Sequence, residues 1–163
     1  MVLALTMLGL CGRSTSAQLA SRRETLRGHR EVFLSVNISD SETANRTFGL
    51  KKDSLEKFLL GRLAEAGISA ANEYQTQTLI LEIQVDLHQV VQVDDDQVYA
   101  FVSAFDATQA AKLATNREAA LVTTWKSLRF GAVSQSQSQL LRDSVIQNMD
   151  QFIEDWQAAN ASE

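Results

Sequence analysis

Leu79-Ile80-Leu81-Glu82-Ile83-Gln84-Val85-Asp86-Leu87-His88 decides the fold. Leu79, Leu81, Ile83, Val85 and Leu87 recur at every second position, and Glu82, Gln84, Asp86 and His88 fall between them. Successive side chains of a strand point to opposite sides, so this spacing predicts a strand from Leu79 to Val91 with one buried and one wet face. Such a strand belongs to an antiparallel or mixed sheet covered on one side, because strands covered on both sides read as continuous apolar runs.

Downstream, Asp94-Asp95-Asp96-Gln97 is a turn kept soluble by charge, and it lacks the ligand spacing of a calcium loop. Val98 to Ala107 is the return strand, with Tyr99, Phe101 and Phe105 on one face and Val98, Ala100 and Val102 on the other. Ala110 to Arg117 continues or closes this hairpin. Ala119 to Leu128 forms a further strand, and Gly131 with Ser134 to Ser138 is a break. The last helix is expected from Ser138 to Ala158, started by one of the serines and striped by Leu141, Val145, Met149, Phe152 and Trp156. Ile146 and Ile153 widen that stripe, and residues 159–163 are read as frayed.

Upstream, Val32, Leu34, Val36 and Ile38 alternate with Phe33, Ser35 and Asn37, which predicts a strand over 32–38. Residues 39–52 read as a loop. Asp53 to Ala66 reads as a helix, with Asp53 and Glu56 as a capping box and Leu55, Phe58, Leu59, Leu63 and Ala66 on one face. Gly67 is its left-handed stop, and Ile68 folds back onto the last turn. The order is β-α-β-β-β-α. Both helices and the best strand are apolar on one side only. The expected fold is therefore α+β and two-layered, a four-stranded mixed sheet with two helices on one face. Residues 32–158 make up one domain, which suits a chain of 163 residues.

The amino terminus sets the expected compartment. Residues 1–12, MVLALTMLGLCG, are nearly all apolar and too few to span a bilayer as a helix, which takes about 20 residues. Small residues follow in Ser14-Thr15-Ser16-Ala17, so 1–17 reads as a signal peptide cleaved between Ala17 and Gln18, although no basic residue precedes the apolar run. The expected location is periplasmic or secreted. Leu10 stands directly before Cys11, where a lipid-attachment signal wants a small residue, so lipidation is disfavoured. Residues 18–31 are polar and basic. They read as a solvated lead-in, with Arg22, Arg23, Arg27 and Arg30 offering peripheral contact to an anionic membrane as the functional alternative. Three N-glycosylation patterns, beginning at Asn37, Asn45 and Asn160, read as chance matches.

Composition narrows the chemistry. A net charge of −5 argues against a broad nucleic-acid surface, and one cysteine excludes an internal disulfide. Two histidines make a multi-histidine zinc site unattractive, and no phosphate-binding loop, nucleophile elbow or metalloprotease motif is present. No cofactor or metal is expected. A Ser–His–Asp site would need His29 or His88 as its base. The row Glu82, Gln84, Asp86 and His88 shares one strand face and is the candidate interaction surface.

Three segments together carry a resemblance: Leu63-Ala64-Glu65-Ala66-Gly67-Ile68; Thr124-Trp125 with Phe130-Gly131; and Val145 to Asn160, containing Asp150-Gln151-Phe152-Ile153. In these the chain resembles a family of small, uncharacterised secreted bacterial proteins, over most of residues 32–160. The resemblance brings no activity with it. The element order also looks like the small α/β domains of bacterial envelope assembly, such as the curli secretion channel and the TolB amino-terminal domain. That likeness is one of fold, which does not determine function. The expectation is a non-catalytic periplasmic module, envelope-associated, that binds a protein partner and no nucleic acid. The rival is a small periplasmic ligand-binding protein or hydrolase with a pocket near His88 and Trp125.

Overall fold

The computed structural model describes residues 22–93, 96–112 and 116–161. The expected signal segment 1–17, its cleavage point, Cys11, Asp94 and Asp95 lie outside them. The described elements are β1 (Glu31–Ile38), α1 (Ser41–Phe48), α2 (Lys52–Glu65), β2 (Ser69–Ala70), β3 (Leu79–Val93), β4 (Asp96–Lys112), β5 (Ala119–Ser134) and α3 (Ser138–Asn160). A 3-10 turn, Gln135–Gln137, leads into α3.

The strands form one mixed sheet in the order β2-β1-β3-β4-β5. β1 runs parallel to both β2 and β3, while the β3–β4 and β4–β5 pairs are antiparallel. The sheet has five strands rather than the expected four. The extra one is the two-residue β2, which follows the α2 stop and pairs Ser69 with Glu31. Two residues are too few to show alternation in a sequence.

The helices lie on one face. α2 packs on β1 and β2, α3 packs on β4 and β5, and the Phe48 ring of α1 meets Tyr99 edge-on at 5.3 Å. Leu79, Leu81, Ile83, Val85 and Leu87 are all buried beneath them, as are Val32, Leu34, Val36 and Ile38 of β1. Removing this apolar surface from water is the main favourable term in the fold.

Four elements depart from expectation. Residues 41–48, read as loop, form α1. The Asp40 carboxylate accepts the Thr43 N–H at 3.0 Å, Ala44 and Phe48 turn inward, and Gly49 ends the helix at φ +63°. With two buried positions in eight residues, no amphipathic stripe announces it. In α2 the Asp53–Glu56 capping box does not form. Lys51 is the N-cap and makes no side-chain cap bond, while Asp53 stands in the first turn. Its stop is as expected: Gly67 at φ +77° lets the Ile68 N–H reach the Leu63 carbonyl at 2.9 Å, and the Gly67 N–H reaches that of Ala64. Gly131 is no break. It lies inside β5 opposite Phe101, whose ring would stand 3.0 Å from a Cβ placed there, so the strand continues to Ser134. α3 likewise has no serine cap, since its N-cap is Gln137 and makes no side-chain cap bond.

Both ends of the domain are tied together. Leu26 is fully buried, Arg23 pairs with Asp155, and Arg27 Nε donates to the Ala159 carbonyl at 3.2 Å. Asn160 donates to the Leu26 carbonyl at 3.2 Å and accepts the Gly28 N–H at 2.9 Å. Residues 22–30 are thus a strap over the end of α3, not a solvated lead-in, and residues 159–160 are not frayed.

Candidate functional site

The face of the sheet turned away from the helices carries the candidate row. Glu82, Gln84 and His88 are exposed and Asp86 is half-buried. Gln84 Nε2 donates to both oxygens of the Asp86 carboxylate, at 3.1 and 2.9 Å. Glu82 stands opposite Asp106 of β4, and Asp106 pairs with Lys126 of β5 at 3.1 Å. Ser35, Asn37, Glu82, Gln84 and Asp106 line a polar depression of about 390 Å³ that Lys52 rims. His88 faces Ala100 and, among the described residues, makes no hydrogen bond or ion pair with Asp86 or Glu82. An imidazole without an orienting acid is a poor start for nucleophile activation.

Beside this row lies an apolar surface that pattern reading does not anticipate. Phe130 faces Val102, Leu128 faces Ala104, Ala132 faces Ala100, and Val91 faces Val98. Phe130 is 78% exposed, Leu128 50% and Val91 48%. Their strand neighbours Ser127, Arg129 and Gly131 share the helix side with Trp125 and Val133. The polarity of β5 is therefore inverted here, with large apolar groups outside and polar ones inside. Two features hold it so. The irregularity between Ala107 and Thr108 skips Thr124 in the pairing, and this sets the phase in which Trp125 turns inward. Asn148 of α3, fully buried, accepts the Ser127 hydroxyl at 2.7 Å and donates to the Ser103 carbonyl at 2.9 Å, so the inner Ser127 is satisfied, whereas Arg129 Nε is buried without a hydrogen-bond partner. The alternation Lys126, Leu128, Phe130, Ala132 is visible in the sequence, but which set faces inward is not.

Among the described residues, His88 and Trp125 lie on opposite faces of the sheet and do not share the expected pocket. Trp125 is buried on the helix side, where its Nε1 donates to Asp155 at 2.9 Å and its ring meets Phe152 edge-on at 5.2 Å. His88 is on the opposite face and pairs several residues further along β4. His29, the other candidate base, bonds Gln109 at 2.7 Å and stands at the strap. Among the described residues no group of three or more His, Cys, Asp or Glu is arranged to hold a metal ion, and no helix is long and apolar enough to cross a membrane.

No family model and no curated protein matches this chain. Several solved structures are similar to it. A minor lipoprotein of Acinetobacter baumannii is 13% identical with a TM-score of 0.45, the match covering 81% of this chain and 93% of that one. A PelC dodecamer from Paraburkholderia phytofirmans is 14% identical with a TM-score of 0.38, over 74% and 86% of the two chains. A candidate lipoprotein of Caulobacter crescentus is 10% identical with a TM-score of 0.34, over 86% and 92%. Similarity at this level assigns neither a family nor a function. The segments that carry the sequence resemblance have structural roles here: Gly67 ends α2, Gly131 makes room for Phe101, and Asp150 pairs with Arg62.

Proposed function

We propose that this protein is a non-catalytic, extracytoplasmic module associated with the bacterial envelope, and that it binds a protein partner through the open face of its sheet. The observation that carries the reading is the surface formed by Phe130, Leu128, Val102 and Val91 beside the row Glu82, Gln84, Asp86 and His88. Exposed apolar groups gathered in one patch and rimmed by polar ones mark interaction sites. The open edge of β5 lies along the same patch and offers unpaired backbone groups to a partner strand. The apolar start and the small residues before Gln18 support an extracytoplasmic location. In this reading the arginines of the strap serve the fold first, since Arg23 and Arg27 already have partners.

Site-specific photocrosslinking in the native host tests it. A photoreactive residue at Phe130 or His88 should trap one discrete envelope protein, while the same probe at Glu154 on the helix side should not. Equal trapping from both faces, or none from either, would defeat the proposal. N-terminal analysis of the mature protein tests the compartment: Gln18 is the expected first residue, and an intact Met1 in the cytosol is the contrary result.

A further inference from the structure

A second apolar surface lies on the helical layer. α2 and α3 run side by side and leave a groove of about 410 Å³ between them. Its floor is Leu55 and Val145, and its walls are Phe58 and Ile146. Phe58, expected on the apolar face of the helix, is 43% exposed, because Leu55, Leu59 and Leu63 are the α2 residues that bury against the sheet, with Leu60 partly buried beside them. A large aromatic group thus forms a wall of the groove rather than part of the core.

The charge in this groove is one-sided. Among the described residues Lys51 and Arg142 are the only charged side chains that line it, in a chain whose net charge is −5. Both stand at one end. Arg142 Nη2 donates to the Phe48 carbonyl at 3.2 Å, which anchors the guanidinium there. Among the described residues no acid pairs with Lys51 or Arg142. Beyond the groove the ion pair between Arg62 and Asp150 joins the two helices. From Lys51 to Phe58, the stretch of α2 that lines the groove, the helix rises about 10 Å. The space is thus a slot with a cationic end and an apolar body.

We propose that this slot binds a single-chain anionic amphiphile of the fatty-acid class. The alkyl chain lies along Leu55, Phe58, Val145 and Ile146, and the carboxylate sits between Lys51 and Arg142. Ligand sites are mostly apolar, span about 300–1,000 Å³ and orient their ligand with a few polar groups, and this slot meets that description. An amphipathic partner helix fits it less well, because such a helix needs a trough open along several turns, and on α2 this one is lined only from Lys51 to Phe58. The site is separate from the open sheet face, so it stands or falls independently of the interaction proposed there.

The test is calorimetric titration of the full chain with dodecanoate and with uncharged dodecanol, both below their micelle concentrations. Dodecanoate should bind one to one and dodecanol at least about tenfold more weakly, a discrimination worth about 1.4 kcal/mol. Phe58→Asp and Lys51→Glu, both at exposed positions, should each weaken dodecanoate binding about tenfold or more. Tyr74→Asp, at an exposed position outside both surfaces, should leave it unchanged. Four results would each overturn the proposal: no saturable binding; equal affinity for the two probes; an equal loss in Tyr74→Asp; or binding only to anionic phosphatidylglycerol vesicles, which would make the cations a membrane contact.

Discussion

Phe58 and Phe152 occupy similar places in a helical pattern and opposite places in the molecule. Phe152 is fully buried against Trp125 and Trp156, at ring distances of 5.2 and 5.7 Å. Phe152→Ala should cost about 3–5 kcal/mol, and Phe58→Ala less than about 1 kcal/mol, in urea unfolding. Comparable losses would mean that Phe58 belongs to the core. Asp40 offers a second test at this scale. The Thr43 backbone N–H, and after it the Thr43 side chain, hold its carboxyl below the usual carboxylate range. A lowered folded value means that the charged cap adds stability above the unfolded value of about 3.9, and that this is lost as pH falls through the folded value. Asp40→Asn should therefore melt below the unsubstituted protein near neutral pH, and the gap should close in acid below about pH 4. A gap that persists there would assign the difference to shape rather than charge.

At the scale of elements, the strap shows how composition misleads. Residues 22–31 hold four arginines and read as a solvated arm, yet Leu26 within them has no exposed surface. One apolar residue in a basic stretch gives no periodicity. What buries it is the end of α3, over a hundred residues away, through Asp155, Ala159 and Asn160. Leu26→Ala should lower stability by about 2–5 kcal/mol by equilibrium unfolding, whereas a truly solvated lead-in would lose almost nothing. The long strands were legible for the opposite reason: five apolar positions in strict alternation leave little freedom in β3. α1 and β2 were not legible, because eight and two residues are too short for a pattern. The candidate row was legible with β3, while the apolar patch next to it was not, because its exposure depends on the phase of β5.

At the scale of the whole molecule, the described helices cover one face of the sheet and leave the other open, and that asymmetry allows the open surface to be changed without harm to the core. The double substitution Asp86→Ala, His88→Ala should shift stability by no more than about 1 kcal/mol, because both groups lie outside the apolar layer. Thermal and urea unfolding give the answer, and a larger loss would mean that the row supports the fold. Crosslinking from Phe130 in the same background should fall if the polar row and the apolar patch form one surface.

Read alone, the chain determines β1, β3 and β4, the stop of α2 at Gly67 and the buried stripe of α3. Each rests on near-neighbour chemistry: side-chain period, capping and the freedom of glycine at positive φ. The tertiary structure decides which side of β5 is inside, where Phe58 goes, and whether the basic segment near the start is free. These depend on partners distant in sequence. Asn148 makes Ser127 acceptable inside, the sheet accepts Leu55, Leu59 and Leu63 and leaves Phe58 to the groove, and Asp155 draws Arg23 onto the fold. Burying a polar group is costly unless a hydrogen bond compensates it, and where a distant part of the chain supplies that bond, as Asn148 does for Ser127, no local pattern records it.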